Sequence, residues 1–323
     1  MYQIDFNHPS SIYFVGIGGI SMSGLAEILA DAGFRVSGSD RSKSPLTETL
    51  ERKGITVFYG QRAANITDDI DCVVFTSAIH KDNPEYIATM EKGIPHLTRA
   101  QLLGEIMQNY KTPIAISGTH GKTTTTSMVS EILLHAGTDP TLSIGGMLKS
   151  IGGNIRVGNT DLFVTEACEY TNSFLSFFPR IGMILNIEED HLDFFKDLAD
   201  VEHSFRTFAS LVPENGYIIA NAEDKNTMDA LAPLGRDIFT FGLNKGADVY
   251  AANIVQHGAE TEFDVIYCEE VFTHVSLRVP GIHNVKNALA ASAAAICLGC
   301  SPAAIRYGLA GFSGANRRFE FKG

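Results

Sequence analysis

Residues 112–137, TPIAISGTHGKTTTTSMVSEILLHAG, read as strand, loop and helix in that order. The apolar run 113–117 has strand length, and the segment from 124 onward carries helix-forming residues at helical spacing. Between them stand Gly118, Thr119, His120, Gly121, Lys122, Thr123 and Thr124. Glycines there let backbone N–H groups turn toward a ligand, and a helix N-terminus adds positive potential. Lys122 is placed to reach the β- and γ-phosphates of a nucleotide, and the Thr123 hydroxyl to ligate Mg²⁺. The spacing of a strict GxxxxGK loop would need glycine at 116, where Ile116 stands, so this is a shortened variant.

Working outward, the amino-terminal segments SIYFVGIGG, ISMSGLAEILADAG and FRVSGSD form a βαβ pattern. Strand candidates at 55–59 and 72–78 alternate with helical stretches at 84–92 and 99–108, which predicts a small parallel α/β sheet. The chain turns polar at QNYKT (108–112), and the domain boundary is placed there, giving domains 1–108 and 109–323. Later strands are expected at 161–167, 180–187, 216–221 and 237–242. Residues 248–279 read as short alternating strands without helices between them, a small antiparallel addition. The expected fold class is therefore α/β: a Rossmann-like parallel-sheet domain, then a phosphate-loop mononucleotide-binding α/β domain with an antiparallel addition. The ending GFSGANRRFEFKG has no final packed element, which reads as a cut end.

The 323 residues suit two domains, each with its own core. Hydrophobic residues make up 45% and charged residues 19%, an ordinary globular composition. A formal net charge of -12 opposes the counterion release on which nucleic-acid binding depends, so nucleic acid is not an expected partner. The start MYQIDFNHPS lacks a basic segment followed by an apolar run, and the alanine-rich stretch 288–300 falls short of the ~20 residues needed to cross a bilayer. No membrane partner and a cytoplasmic location are expected. The five cysteines are scattered; Cys297 and Cys300 form a CxxC at the end of an alanine-rich helix, read as packing. Oligomeric state leaves no mark in the sequence.

Other motifs are weaker alone. In Gly16-Ile17-Gly18-Gly19 a dinucleotide fingerprint would want glycine where Ser21 stands, so NAD is disfavoured. Asp40 follows the second strand where a carboxylate meets a ribose hydroxyl in such folds. Glu166 ends a strand and EEDHLD (188–193) follows another, both at strand carboxyl ends; an acidic cluster there holds Mg²⁺ or is simply an exposed acidic turn. His283 and Asn287 share one helix face after Pro280-Gly281, either toward a nucleotide or, with Asn284, as cap and core residues. Arg317 and Arg318 suit a phosphate or a solvated turn.

In this order, GTHGKTTT, the glutamate of TEA, NIEEDHLD, HNVKNALAA and RRFE resemble the Mur ligases along essentially the whole chain. GIGGISMSGLA, GSD and TSAIHKDNPE narrow the resemblance to members that take UDP-N-acetylmuramate, with L-alanine as the amine. The resemblance implies a UDP-sugar domain, a central ATPase domain and a carboxyl-terminal amino-acid domain, the third lying beyond this sequence. Such a fragment is expected to bind ligands and to turn over poorly. The implied reaction is ATP-dependent phosphorylation of the lactyl carboxylate, then attack by the amine on the acyl phosphate. By resemblance Lys122, Glu166 and His191 are catalytic, and Thr123, Glu166 and His191 are ligands of Mg²⁺, with Mn²⁺ as alternative. The phosphate-loop residues, His283, Asn284, Asn287 and Arg318 would line the ATP site. Gly16, Gly18, Gly19, Ser39, Asp40, Ser77 and Ala78 would meet the UDP-sugar. Where sister ligases carry a carbamylated lysine this chain has Arg206, expected to supply fixed positive charge instead. The rival readings are a recycling ligase for a preformed peptide and a non-catalytic nucleotide-binding regulator.

Overall fold

The structure, a computed structural model, describes residues 2–258 and 260–314. The chain divides into two units, Met1–Asn109 and Tyr110–Gly323.

In the first unit, strands β1 (Ser11–Val15), β2 (Arg35–Asp40), β3 (Thr56–Tyr59), β4 (Cys72–Phe75) and β5 (His96–Thr98) alternate with helices α1 (Ile20–Asp31), α2 (Pro45–Arg52), α3 (Pro84–Lys92) and α4 (Arg99–Met107). The sheet is parallel with order β3-β2-β1-β4-β5. Every residue of β1 is buried, as expected of a central parallel strand covered on both faces. Because the chain leaves β1 toward β2 and later returns on the other side to β4, the switch point lies at the carboxyl ends of β1 and β4. The three-residue β5 is too short to announce itself by alternation, and the sequence reading did not place it.

Glu85, in the first turn of α3, is fully buried. Its carboxylate accepts from Tyr13 Oη (2.8 Å), Ser39 Oγ (2.6 Å) and Asn65 Nδ2 (2.6 Å). Three donors from β1, β2 and the turn after β3 thus replace water around one carboxylate. Burial, then the charge of Glu85, pushes the Tyr13 phenol far up.

The second unit contains β6 (Thr112–Ser117), α5 (Lys122–His135), β7 (Thr141–Leu148), β8 (Gly153–Arg156), β9 (Leu162–Glu166), β10 (Ile181–Ile184), α6 (Leu198–Ser210), β11 (Tyr217–Asn221), α7 (Lys225–Leu231), β12 (Phe239–Gly242), β13 (Val249–His257), β14 (Glu260–Tyr267), β15 (Glu270–Leu277), α8 (Ile282–Cys297) and α9 (Pro302–Gly311). Its ten-stranded sheet runs β15-β14-β13-β12-β11-β10-β6-β9-β7-β8. The span from β7 to β13 is parallel; β13, β14 and β15 are antiparallel, as the alternation at 248–279 foretold. The β7/β8 hairpin was not foreseen: Gly145 and Gly146 interrupt TLSIGGML and make it look like a loop.

Helix α5 is buried on all sides, with Met128, Val129, Ile132 and Leu133 in the core, each contributing roughly 1.5–3 kcal/mol. The alanines of α8 let it come close, and at Gly308 of α9 a Cβ would lie 2.5 Å from Ile132 Cα, so α9 rests backbone to backbone on α5. Cys300 is buried and Cys297 half-buried; burial pushes the Cys297 thiol up to about 12, consistent with packing. Among the described residues no helix is long and apolar enough to cross a membrane.

Candidate active site

The loop between β6 and α5 leaves the sheet at its second switch point, between β6 and β10. Gly118 (φ 142°) and Gly121 (φ 86°) hold backbone conformations that a side chain resists. A Cβ at Gly121 would also stand 2.7 Å from Asn287 Oδ1, so this glycine lets α8 approach the loop. Asn186, just past β10, fixes the loop: its carbonyl accepts from Thr119 N (3.1 Å), its Oδ1 accepts from His120 N (2.8 Å), and its Nδ2 donates to His120 O (3.1 Å). Thr119 Oγ1 accepts from Glu188 N at 3.0 Å. The N-cap of α5 is Gly121, without a side-chain cap, which leaves the first-turn amides directed at a ligand position.

Two carboxylates face this loop. Glu166, ending β9, accepts from Thr123 Oγ1 (3.1 Å) through one oxygen and from Gly145 N (2.6 Å) through the other. A Cβ at Gly145 would lie 2.5 Å from Glu166 Oε2, so the bare glycine cradles the carboxylate. Glu169 is the residue that sequence reading missed. Both its oxygens accept from Lys122 Nζ, at 3.1 and 2.9 Å, and the side chains are only 3% and 14% exposed. Nothing in ACEY announces this pairing; it arises because β9 and β6 are neighbours. Removing one partner of so buried a pair costs about 3–5 kcal/mol.

His191 has φ 53°, lies against Tyr170 with ring centroids 4.5 Å apart and planes tilted by 35°, and holds Nε2 3.7 Å from Glu169 Oε1. Tyr170 Oη in turn donates to Asp193 at 2.7 Å. His191 thus joins the Lys122–Glu169 pair, although 22 residues separate it from Glu169 in sequence. His120, His283, Lys286 and Asn287 line a cavity of about 210 Å³ beside the loop, floored by Leu185 and Phe241. His283 is exposed at its mouth and not a core histidine, and Asn284 lies inside α8, its Nδ2 donating to Pro280 O, rather than capping the helix. Thr124 is half-buried in the first turn of α5. Arg206 Nε donates to Ala230 O at 2.7 Å, bracing α7 against α6. Arg317 and Arg318 lie outside the described residues.

In the first unit, Gly16 N and Ile17 N donate to Ser39 O at 2.8 and 2.9 Å, and Gly18 N donates to Asp40 Oδ2 at 2.8 Å. Gly16 (φ 86°) abuts Thr76, and Gly19, Ser77 and Ala78 are exposed at the switch point. Ser39 corrects the expectation: its side chain is wholly buried on Glu85, so only its backbone reaches the loop.

A lysine-bearing glycine loop at the head of a helix, at the switch point of a parallel sheet, defines a mononucleotide-binding α/β protein. The Mur ligase middle domain pattern matches residues 116–295 and the Mur ligase family catalytic domain pattern residues 11–111. The UDP-N-acetylmuramate--L-alanine ligase of Agathobacter rectalis is 55% identical across 100% of this chain and 71% of its own length. Among solved structures, the UDP-N-acetylmuramate-alanine ligase MurC of Thermotoga maritima superposes with TM-score 0.81 at 32% identity, over 96% of this chain and 70% of that one. The UDP-N-acetylmuramate:L-alanyl-gamma-D-glutamyl-meso-diaminopimelate ligase of Neisseria meningitides gives 0.84 at 30% identity, over 96% and 100%. The chain belongs to the Mur ligase family.

Proposed function

We propose that this chain is an ATP-dependent ligase that joins L-alanine to the lactyl carboxylate of UDP-N-acetylmuramate. The observation that carries it is the 55% identity, across the whole chain, to a relative named for that reaction. The first unit takes the UDP-sugar at the Gly16, Gly18 and Gly19 loop with Asp40, Ser77 and Ala78. The second takes ATP on residues 118–124, with the base in the cavity of His283 and Asn287.

In the reaction, a carboxylate oxygen attacks the γ-phosphorus and ADP leaves; the amine then attacks the acyl carbon and phosphate leaves. Positioning and charge neutralisation are what such a transfer needs. Lys122 and the first-turn amides of α5 neutralise the phosphate oxygens. The hydroxyl of Thr123 and the carboxylate of Glu166, 3.1 Å apart, are hard oxygen donors that fit Mg²⁺, which keeps few protein ligands beside phosphate and water. Glu166 with His191 is the proposed set for a second ion. Bound there, the cation would stabilise charge on the transferring phosphoryl group.

Calorimetric titration with UDP-N-acetylmuramate, with UDP-N-acetylglucosamine and NAD as controls, tests the first unit; ATP with Mg²⁺ tests the second. Mass spectrometry of the product formed with L-alanine or with the tripeptide then tests the amine. Selective binding of the UDP-sugar acid and an alanine adduct are expected; preference for NAD, or a peptide adduct alone, overturns the proposal.

A further inference from the structure

The Glu169 carboxylate has no part in the reaction just proposed, yet it holds the loop lysine. An ammonium has three N–H donors. Those of Lys122 are shared among the carbonyls of Gly118 (2.5 Å) and Thr119 (3.2 Å) and both oxygens of Glu169. A phosphate arriving at the loop must therefore take Lys122 from Glu169 or share it. Taking it would leave a buried carboxylate without its cation, a costly state. Glu166, on Thr123, adds a second negative charge beside the loop.

We propose that Glu169 is a positioning residue that imitates the terminal phosphate: it keeps Lys122 drawn against the loop carbonyls and makes nucleotide entry conditional on an accompanying divalent cation. A metal-free polyphosphate meets like charge from both glutamates. A nucleotide arriving with its cation brings the positive charge that Glu166 and Glu169 answer, and Lys122 is then shared at little cost. The inference rests on the reading that this loop binds ATP.

The test is calorimetric titration with ATP, once with excess chelator and once with Mg²⁺, on the unaltered protein, Glu169→Gln, Glu169→Asp and Lys122→Met. For the unaltered protein Mg²⁺ should tighten ATP binding by about 100-fold or more. Glu169→Gln should bind metal-free ATP about tenfold more tightly and gain correspondingly less from Mg²⁺, since a like charge is gone. Glu169→Asp, which keeps the charge, should retain the original pattern. Were Glu169 only a brace for the loop, Glu169→Gln would weaken both forms of ATP alike, and that result overturns the proposal.

Failure of the unaltered protein to bind ATP at all, while it binds the UDP-sugar, overturns the reading of the loop itself and is thereby told apart. A second measurement needs no variant at this position. The Lys122 ammonium signal in nuclear magnetic resonance, identified by its loss in Lys122→Met, should move on addition of ATP with Mg²⁺ and stay in place with metal-free ATP. Equal displacement by both also overturns the proposal.

Discussion

The two glycine loops use one backbone device for opposite ends. After β1, the amides of Gly16, Ile17 and Gly18 are all taken by the end of β2, two by the Ser39 carbonyl and one by the Asp40 carboxylate. After β6, the protein takes the amides of Thr119 and His120 through a neutral asparagine, and the carboxylates lie on side chains, Glu166 on Thr123 and Glu169 on Lys122. The first loop has its amides satisfied within the protein and a fixed acid among their partners. The second carries a lysine held between its own loop carbonyls and a buried carboxylate. A glycine pattern alone does not separate these uses; what the neighbouring strand ends present does.

The largest effect that would sharpen this contrast is expected from Lys122→Met, which should lower ATP-dependent turnover about 10²- to 10³-fold and leave UDP-sugar binding unchanged by calorimetry. Comparable loss at both sites would break the contrast. Next come the paired glycines. Gly121→Ala forces a side chain at φ 86° against Asn287, and Gly16→Ala forces one at φ 86° against Thr76. Each should cost about 1–2 kcal/mol in thermal melting, and each should impair only the ligand of its own loop. Asp40→Asn should reduce UDP-sugar affinity about tenfold while ATP titrates as before. The smallest effect concerns α5, where the Thr125 and Thr126 hydroxyls are buried without a partner among the described residues. Thr126→Val keeps the shape and removes an unsatisfied oxygen, so stability should rise by about 1 kcal/mol, read as a small increase in Tm.

The parts of this molecule that could be read in advance are those whose cause is local. The strand, loop and helix around Lys122 follow from an apolar run, two glycines and a helix-forming segment, and the antiparallel addition from simple alternation. The β7/β8 hairpin escaped because its glycines serve a distant residue: Gly145 stays bare for the Glu166 carboxylate. Glu169 escaped for the same reason, since its ion pair with Lys122 spans 47 residues and exists only once the strands are adjacent; His191 was named, but not its place beside Glu169. Ser39 was placed at the UDP-sugar by resemblance alone, and nothing in its local sequence indicated that its hydroxyl is held by the buried Glu85 carboxylate.

That buried carboxylate has a consequence for how the first unit comes apart. Glu85 is at ease only while Tyr13, Ser39 and Asn65 all stand around it, and these come from three separate segments. Opening any one of them strands a charge in an apolar interior, so none frays by itself. Amide protons of β1, β2 and the first turn of α3 should accordingly exchange with solvent together, at the rate of whole-unit opening.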